Sequence, residues 1–197
     1  DLGRLRSVGD GILDEVHGLR DTYDADVVTL LTQASDVCGV GYVMGPGAVN
    51  SGFAAWAFNV TIARVCASAG LSLAHEIGHN LGLQHDRVNA GTPPAFDFAY
   101  GFAVPGVARS VMAYACTTGG ACPRQPIYST PLRNFPATAT TAGTPADDNT
   151  RALQLTVPVA VNFRDSTCGF TVSPTRIDVP LSGGAGAITV TPGAGCQ

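Results

Sequence analysis

Ala74-His75-Glu76-Ile77-Gly78-His79-Asn80-Leu81-Gly82-Leu83-Gln84-His85-Asp86 is the stretch that decides how this chain reads. Three of the chain's 4 histidines fall in it, in the pattern H-E-x-x-H-x-x-G-x-x-H. The four-residue spacing predicts a helix with His75 and His79 one above the other on the same face. Two neutral imidazoles so placed can grip one zinc ion. Glu76 lies about 100° further round the helix, beside the metal rather than on it. From there it can take a proton from an attacking water and pass it to the leaving amine. Gly82 falls where the helix should stop, since glycine accepts the left-handed conformation that ends helices. The turn then brings His85 back as a third ligand. Three protein ligands leave one position open, the mark of a catalytic rather than a structural zinc. Leu73, Ile77 and Leu81, with Ala74 beside them, recur on the opposite face and predict a side turned into a core.

Downstream stands Ser110-Val111-Met112-Ala113-Tyr114. The extended histidine motif followed by such a methionine resembles the metzincin zinc proteases and their Met-turn. The resemblance implies that Met112 is an apolar floor under the ligand imidazoles and not itself a ligand. It also implies that Tyr114 reaches the zinc or the transition-state oxyanion, the alternative being a ring packed in the lower lobe. Asp86, directly after the third histidine, resembles the reprolysin branch, where this aspartate bonds within the lower lobe. The wording from Asp10-Gly11 to Arg20-Asp21, then Ala25-Asp26-Val27-Val28, is similar to bacterial reprolysin-like enzymes, some described as peptidyl-Asp metallopeptidases. The resemblance covers residues 1–165 and implies an α/β (α+β) fold. Its parts would be a twisted mixed sheet and an active-site helix above an irregular lower lobe. Such enzymes begin with a strand, a long helix and a second strand that have no counterpart here. The domain is therefore expected to be N-terminally incomplete, with an open sheet edge.

Composition narrows the function classes. Among 197 residues only 13% are charged and the net charge is −4, so no basic face is expected for nucleic acid. No apolar run approaches the length of a membrane span. The chain starts at Asp1 without an initiator methionine or a signal peptide, which predicts that Asp1 is not a natural start. Lysine is absent and Ala, Gly, Thr and Val are abundant, which reads as a low-charge secreted surface. None of the 6 cysteines has C-x-x-C spacing, and their even number and wide gaps favour disulfides in an oxidising compartment. Cys116 and Cys122 flank a Thr-Thr-Gly-Gly turn, and a bridge there would pin the loop after Met112. Cys38 with Cys66 would tie upper strands together, leaving Cys168 and Cys196. The sequence leaves the connectivity open.

Along the chain, Asp10 can cap a helix through Ile12, Val16, Leu19 and Tyr23, with His17 as a surface or packing residue. Asp26 to Leu31 reads as a buried strand. Val37 to Met44 and Phe53 to Val65 read as further strands, broken at Gly45-Pro46-Gly47 and near Asn59. Phe53 to Phe58 is the candidate edge that binds substrate backbone as an added strand, an ordinary covered strand being the alternative. Residues 83–147 read as the irregular lobe, with Phe96, Phe98, Tyr100 and Phe102 either lining a substrate pocket or packing a core. Asp147-Asp148-Asn149 can cap a last helix to about Phe163, with Leu153, Val157, Ala160 and Val161 inward and a kink at Pro158. Residues 166–197 read as a linker and the truncated start of a β-sandwich repeat.

The chain thus reads as a secreted, extracellular bacterial zinc endopeptidase acting on protein or peptide substrates, without nucleic-acid partners. His75, His79 and His85 are the zinc ligands. Glu76 is the general base and then the general acid, and Tyr114 is a second catalytic residue beside the oxyanion. The alternatives are a non-catalytic zinc-binding or adhesion fragment, and a zinc hydrolase of another substrate class. The intact Glu76 argues against the first, because metal binding alone does not need it.

Overall fold

The computed structural model describes residues 1–33, 37–63, 66–67, 70–164, 170–173 and 189–192. It divides into two compact units, Asp1–Arg164 and Asp165–Gln197.

The first unit opens with two short helices, α1 (Leu2–Arg6) and α2 (Glu15–Thr22). Three strands follow, β1 (Val28–Thr32), β2 (Gly39–Gly41) and β3 (Phe58–Ile62), with a 3-10 helix (Ser51–Trp56) before β3. They form a mixed sheet in the order β1-β3-β2, with β1 parallel and β2 antiparallel to β3. Helix α3 (Ser72–Asn80) carries the first two histidines. The lower lobe has only pairs of very short strands: β4 (Gln84–Asp86) with β5 (Tyr100–Gly101), and β6 (Ala103–Val104) with β7 (Ala108–Arg109). Helix α4 (Asn149–Ala160) closes the unit.

The central strand β3 explains the layering. Period-two alternation sends Phe58 and Val60 to one face, where they pack with Leu5 of α1 and with Leu13 and Val16 beside α2. Asn59 and Thr61 are buried as well, and they alternate with that apolar pair. Asn59 donates its side-chain amide to Asn80 Oδ1 at the end of α3 (2.8 Å). Asn80 in turn donates to the carbonyls of Tyr42 (2.9 Å) and Phe58 (3.1 Å). The helix is therefore docked on the sheet through a buried amide clasp.

The ends of α3 follow from local chemistry. Gly82 has φ +83°, a conformation open to glycine at little cost, and the amide of Leu83 reaches back to the carbonyl of Gly78 (2.9 Å). That glycine-terminated turn stops the helix at Asn80 and sends the chain into β4, which carries His85.

Several expectations need correction. Residues 7–14 are a loop rather than the first turn of a helix: Asp14 gathers the amides of Gly9 (2.7 Å) and Gly11 (2.9 Å), so α2 starts only at Glu15. Leu19 and Tyr23 are consequently exposed, while His17 holds the carbonyl of Ser7 (2.9 Å). β1 is half-buried rather than fully covered. Phe53–Phe58 is not an edge strand, because 51–56 coils into the 3-10 helix and Phe58 starts the central strand; β2 is the edge beside α3. Leu73, Ile77 and Leu81 are only partly buried, whereas Ser72, His75, Glu76, His79 and Asn80 are buried, so the polar face of α3 is the inward one. In α4, Asp148 caps the amide of Arg151 (3.0 Å) as expected, and Pro158 lies inside the helix. The buried stripe is Ala152, Thr156 and Ala160, however, with Val157 and Val161 outward.

Two disulfides, Cys38–Cys66 and Cys116–Cys122, are formed. Cys168 and Cys196 lie outside the described residues. In the second unit, β8 (Phe170–Ser173) pairs antiparallel with β9 (Thr189–Pro192). The rest of the expected β-sandwich start, residues 174–188 among it, also lies outside the described residues.

Replacing Asn80 by leucine keeps volume but leaves the Tyr42 and Phe58 carbonyls and the Asn59 amide without that partner. We expect a loss of roughly 2–4 kcal/mol, read as a lower urea midpoint at unchanged m-value. An unaltered midpoint would mean the clasp contributes nothing.

Candidate active site

His75 and His79 project from successive turns of α3, and His85 enters from β4. Their Nε2 atoms converge: His85 lies 3.1 Å from His79 and 3.1 Å from His75. The protonation of the rings can be deduced. His75 Nδ1 meets the carbonyl of Val111 at 2.9 Å, His79 Nδ1 that of Leu83 at 2.9 Å, and His85 Nδ1 that of Asn89 at 3.2 Å. A carbonyl only accepts, so each Nδ1 carries the proton and each neutral ring turns an Nε2 lone pair inward. Three lone pairs facing one another at this distance repel unless a cation lies between them. Nitrogens about 2.0–2.1 Å from a tetrahedral zinc stand about 3.3 Å apart, which these spacings approach. The residues therefore fit zinc.

The supports of these rings come from three different segments. Leu83 belongs to the turn that ends α3, and Val111 precedes the buried Met112. Asn89 sits in a turn held by its own side-chain bonds to the Asp86 carboxylate (2.8 and 3.0 Å). Asp86 also accepts the amide of Tyr114 (2.9 Å), so it ties the third-histidine turn to the segment after Met112. Met112 packs with Leu83, Ala99, Val111 and Ala152 under the helix. Gly78 makes that approach possible, because a Cβ there would stand 2.6 Å from the Met112 sulfur.

Glu76 is buried between α3 and the sheet. Gly39 of β2 faces it so closely that a Cβ would lie 2.5 Å from Oε1. Burial pushes the Glu76 carboxyl up to about 8, and the nearby Arg124 charge pulls the other way. The Tyr114 ring lies 4.2 Å from that of His85 and 6.4 Å from that of His75, centre to centre. It is partly exposed and lies beside the histidines, not packed away in the lower lobe. Burial chiefly, with the Glu76 charge, raises its phenol above the ordinary value.

Residues 5–132 match the metallopeptidase family M12B, reprolysin-like. The chain belongs to this family. A peptidyl-Asp metalloendopeptidase of Xanthomonas campestris is 35% identical over 131 residues, 66% of this chain and 29% of that protein. One from Stenotrophomonas maltophilia strain K279a is 32% identical over 168 residues, 83% of this chain and 38% of that protein. The chain thus spans about a third of the length of the curated relatives it matches. A solved structure described as "Structure of a chaperone-substrate complex" aligns with 84% of this chain and 24% of its own, at TM-score 0.59 and 19% identity. At that identity the likeness is one of fold. Zinc is the metal of this peptidase family, and the M12B chain described here offers it the three converging nitrogens.

The sequence-predicted residues His75, Glu76, His79, His85 and Tyr114 are thus gathered in one place. Among the four alternating aromatics, only Phe102 lines the cavity of about 300 Å³ beside Tyr114, together with Asp86, Arg87 and Thr117. Phe96 and Phe98 instead stack on each other at 5.3 Å, and Arg87 covers Tyr100. Three residues beside the site escaped sequence reasoning. The glycines of β2 carry no motif, and Arg124 lies far downstream with no pattern to mark it.

Burial also keeps the imidazoles neutral. Desolvation, with the charge of its neighbours, pushes His75 far below 6.5 and His79 to about 4. In the metal-free chain the unfolded state therefore binds more protons than the folded one from about 6.5 down to about 4. The stability these two histidines contribute is complete above that window and is lost as pH falls through it, whereas Glu76, raised to about 8, contributes the opposite slope between about 4.5 and about 8. We expect the urea midpoint of the metal-free protein to drop across the window, and His79→Gln to flatten the drop. A midpoint independent of pH there would show that these rings are solvated.

Proposed function

We propose that this chain is the catalytic part of a secreted bacterial zinc endopeptidase. The observation that carries this reading is the convergence of three Nε2 lone pairs with a buried carboxyl, Glu76, on the adjoining helix position. His75, His79 and His85 would hold the metal, which would supply a Lewis acid for the scissile carbonyl and for the attacking water. Glu76 takes the proton of the attacking water and delivers it to the leaving nitrogen, a role suited to a carboxyl whose pKa burial has lifted toward neutrality. Tyr114 aligns its phenol with the oxyanion that develops on the substrate.

Protein or peptide substrates suit the edge strand β2, whose outer side pairs with no strand among the described residues and can accept an extended segment by backbone hydrogen bonding. Gly39 keeps that edge close to Glu76, so an added strand would pass its peptide groups across the site. Two disulfides and bacterial relatives support an extracellular location. No helix among the described residues is long and apolar enough to cross a membrane. The relatives' name, peptidyl-Asp metalloendopeptidase, supports an internal cleavage point set by aspartate.

The test is a pair of variants in the full-length protein. Glu76→Gln keeps one zinc but loses peptide hydrolysis by about 10²-fold or more. Tyr114→Phe lowers kcat more than it raises KM, since its contact strengthens only in the transition state. Undiminished turnover in Glu76→Gln contradicts the assignment of the base. A Tyr114→Phe enzyme that changes only in stability removes the tyrosine from the mechanism.

A further inference from the structure

Arg124 has no role in the scheme above, yet it stands against the site. Its positive charge bears on His75, Glu76, His85 and Tyr114 together. Arg124 is partly buried, and its guanidinium makes one hydrogen bond among the described residues, from Nη1 to the carbonyl of Gly70 (2.8 Å). Nε is buried and has no partner. The ion pairs among the described residues are Arg87–Asp147 and Arg164–Asp21, so none of the described carboxylates forms an ion pair with Arg124.

The neighbouring chain makes this arrangement costlier still. Arg109 bridges Arg124 through the backbone, and its own charge depresses the Arg124 guanidinium after burial. Arg109 is committed elsewhere, donating from Nη1 to the Ala113 carbonyl (2.6 Å) and from Nε to that of Cys122 (3.2 Å). Of the two, Arg124 makes the fewer hydrogen bonds and is the one whose Nε is buried without a partner among the described residues. The Glu76 carboxyl is a charge that favours the Arg124 cation, but it makes no hydrogen bond to the guanidinium among the described residues, so the remaining donors are open to a second anion.

The position of Arg124 along the cleft can be read from its anchor. Gly70 precedes α3 and packs on Cys66, where a Cβ would stand 2.8 Å from the carbonyl oxygen. Cys66 is bonded to Cys38, the residue before β2. Arg124 is therefore at the Cys38 end of the edge strand. A substrate added antiparallel to β2, the more stable pairing, runs from Gly41 toward Gly39. Its residues after the scissile bond then reach the Arg124 end.

We propose that Arg124 is the specificity-determining residue of this site: it pairs with the carboxylate of an acidic side chain immediately after the scissile bond. The assignment rests on the endopeptidase reading. Guanidinium forks match carboxylates with two parallel hydrogen bonds, and an uncharged isostere leaves the same donors unpaired.

The experiment uses the full-length protein and peptides that differ only in the residue after the cleavage point, Asp, Asn or Arg. Wild type should favour Asp over Asn in kcat/KM by about tenfold or more. Arg124→Gln should bring that ratio to near unity, a ratio that any change in the machinery common to both peptides leaves untouched. Arg124→Glu should turn the preference toward the Arg peptide. If Arg124→Gln does not fold, Arg124→Lys decides, because it keeps the charge but loses the fork and must lower the ratio several-fold. A merely structural Arg124 changes stability and leaves the Asp to Asn ratio as in wild type, which would overturn the assignment. So would a wild type with no acidic preference. A wild type that binds zinc but cleaves none of the peptides contradicts the endopeptidase reading itself.

Discussion

Three backbone carbonyls, of Leu83, Asn89 and Val111, determine what the site can be. Each accepts the Nδ1 proton of one histidine, so each ring is held neutral, in one tautomer and in one plane. The remaining lone pairs point at a common centre. The rest of the unit places those carbonyls: the glycine-ended turn of α3 supplies Leu83, the Asp86–Asn89 turn supplies Asn89, and the segment over Met112 supplies Val111. A metal site of this kind is assembled by secondary contacts as much as by its ligands.

The same economy governs α3. Its inward face is polar, and the amide clasp of Asn59 and Asn80 fixes the helix on the sheet where apolar packing alone would let it slide. Glycine in β2 removes the side chains that would hold the edge strand away from Glu76, and glycine at position 78 removes the one that would hold the helix away from Met112. The result is a buried carboxyl next to three neutral imidazoles, which is the electrostatic setting for moving protons near neutral pH.

Much of this was legible in the residues. The spacing of His75, His79 and His85 marked the three rings that converge, Gly82 marked the helix end, and Met112 and Asp86 carried the resemblance to reprolysin-like enzymes. Less legible was whatever depends on contacts distant in sequence. The apolar stripe Leu73, Ile77 and Leu81 obeys the helical period, but the partner of α3 is the polar side of β3, so burial followed Asn80 and Glu76 instead. The edge strand was sought in the aromatic run 53–58, whereas two glycines and a valine form it; β-propensity misleads where close approach matters more than side-chain packing. The first helix was placed early because Asp10 resembles a cap, but Asp14 won by collecting two glycine amides. Arg124 has no local pattern at all, since only the folded chain brings residue 124 beside Glu76.

The most direct test of the central claim is zinc-edge X-ray absorption on the purified full-length protein, with metal content measured on the same sample. The account predicts one zinc per chain with three imidazole nitrogens and one oxygen at about 2.0–2.1 Å. A shell containing sulfur at about 2.3 Å, or a centre unchanged by removal of His79, would contradict it.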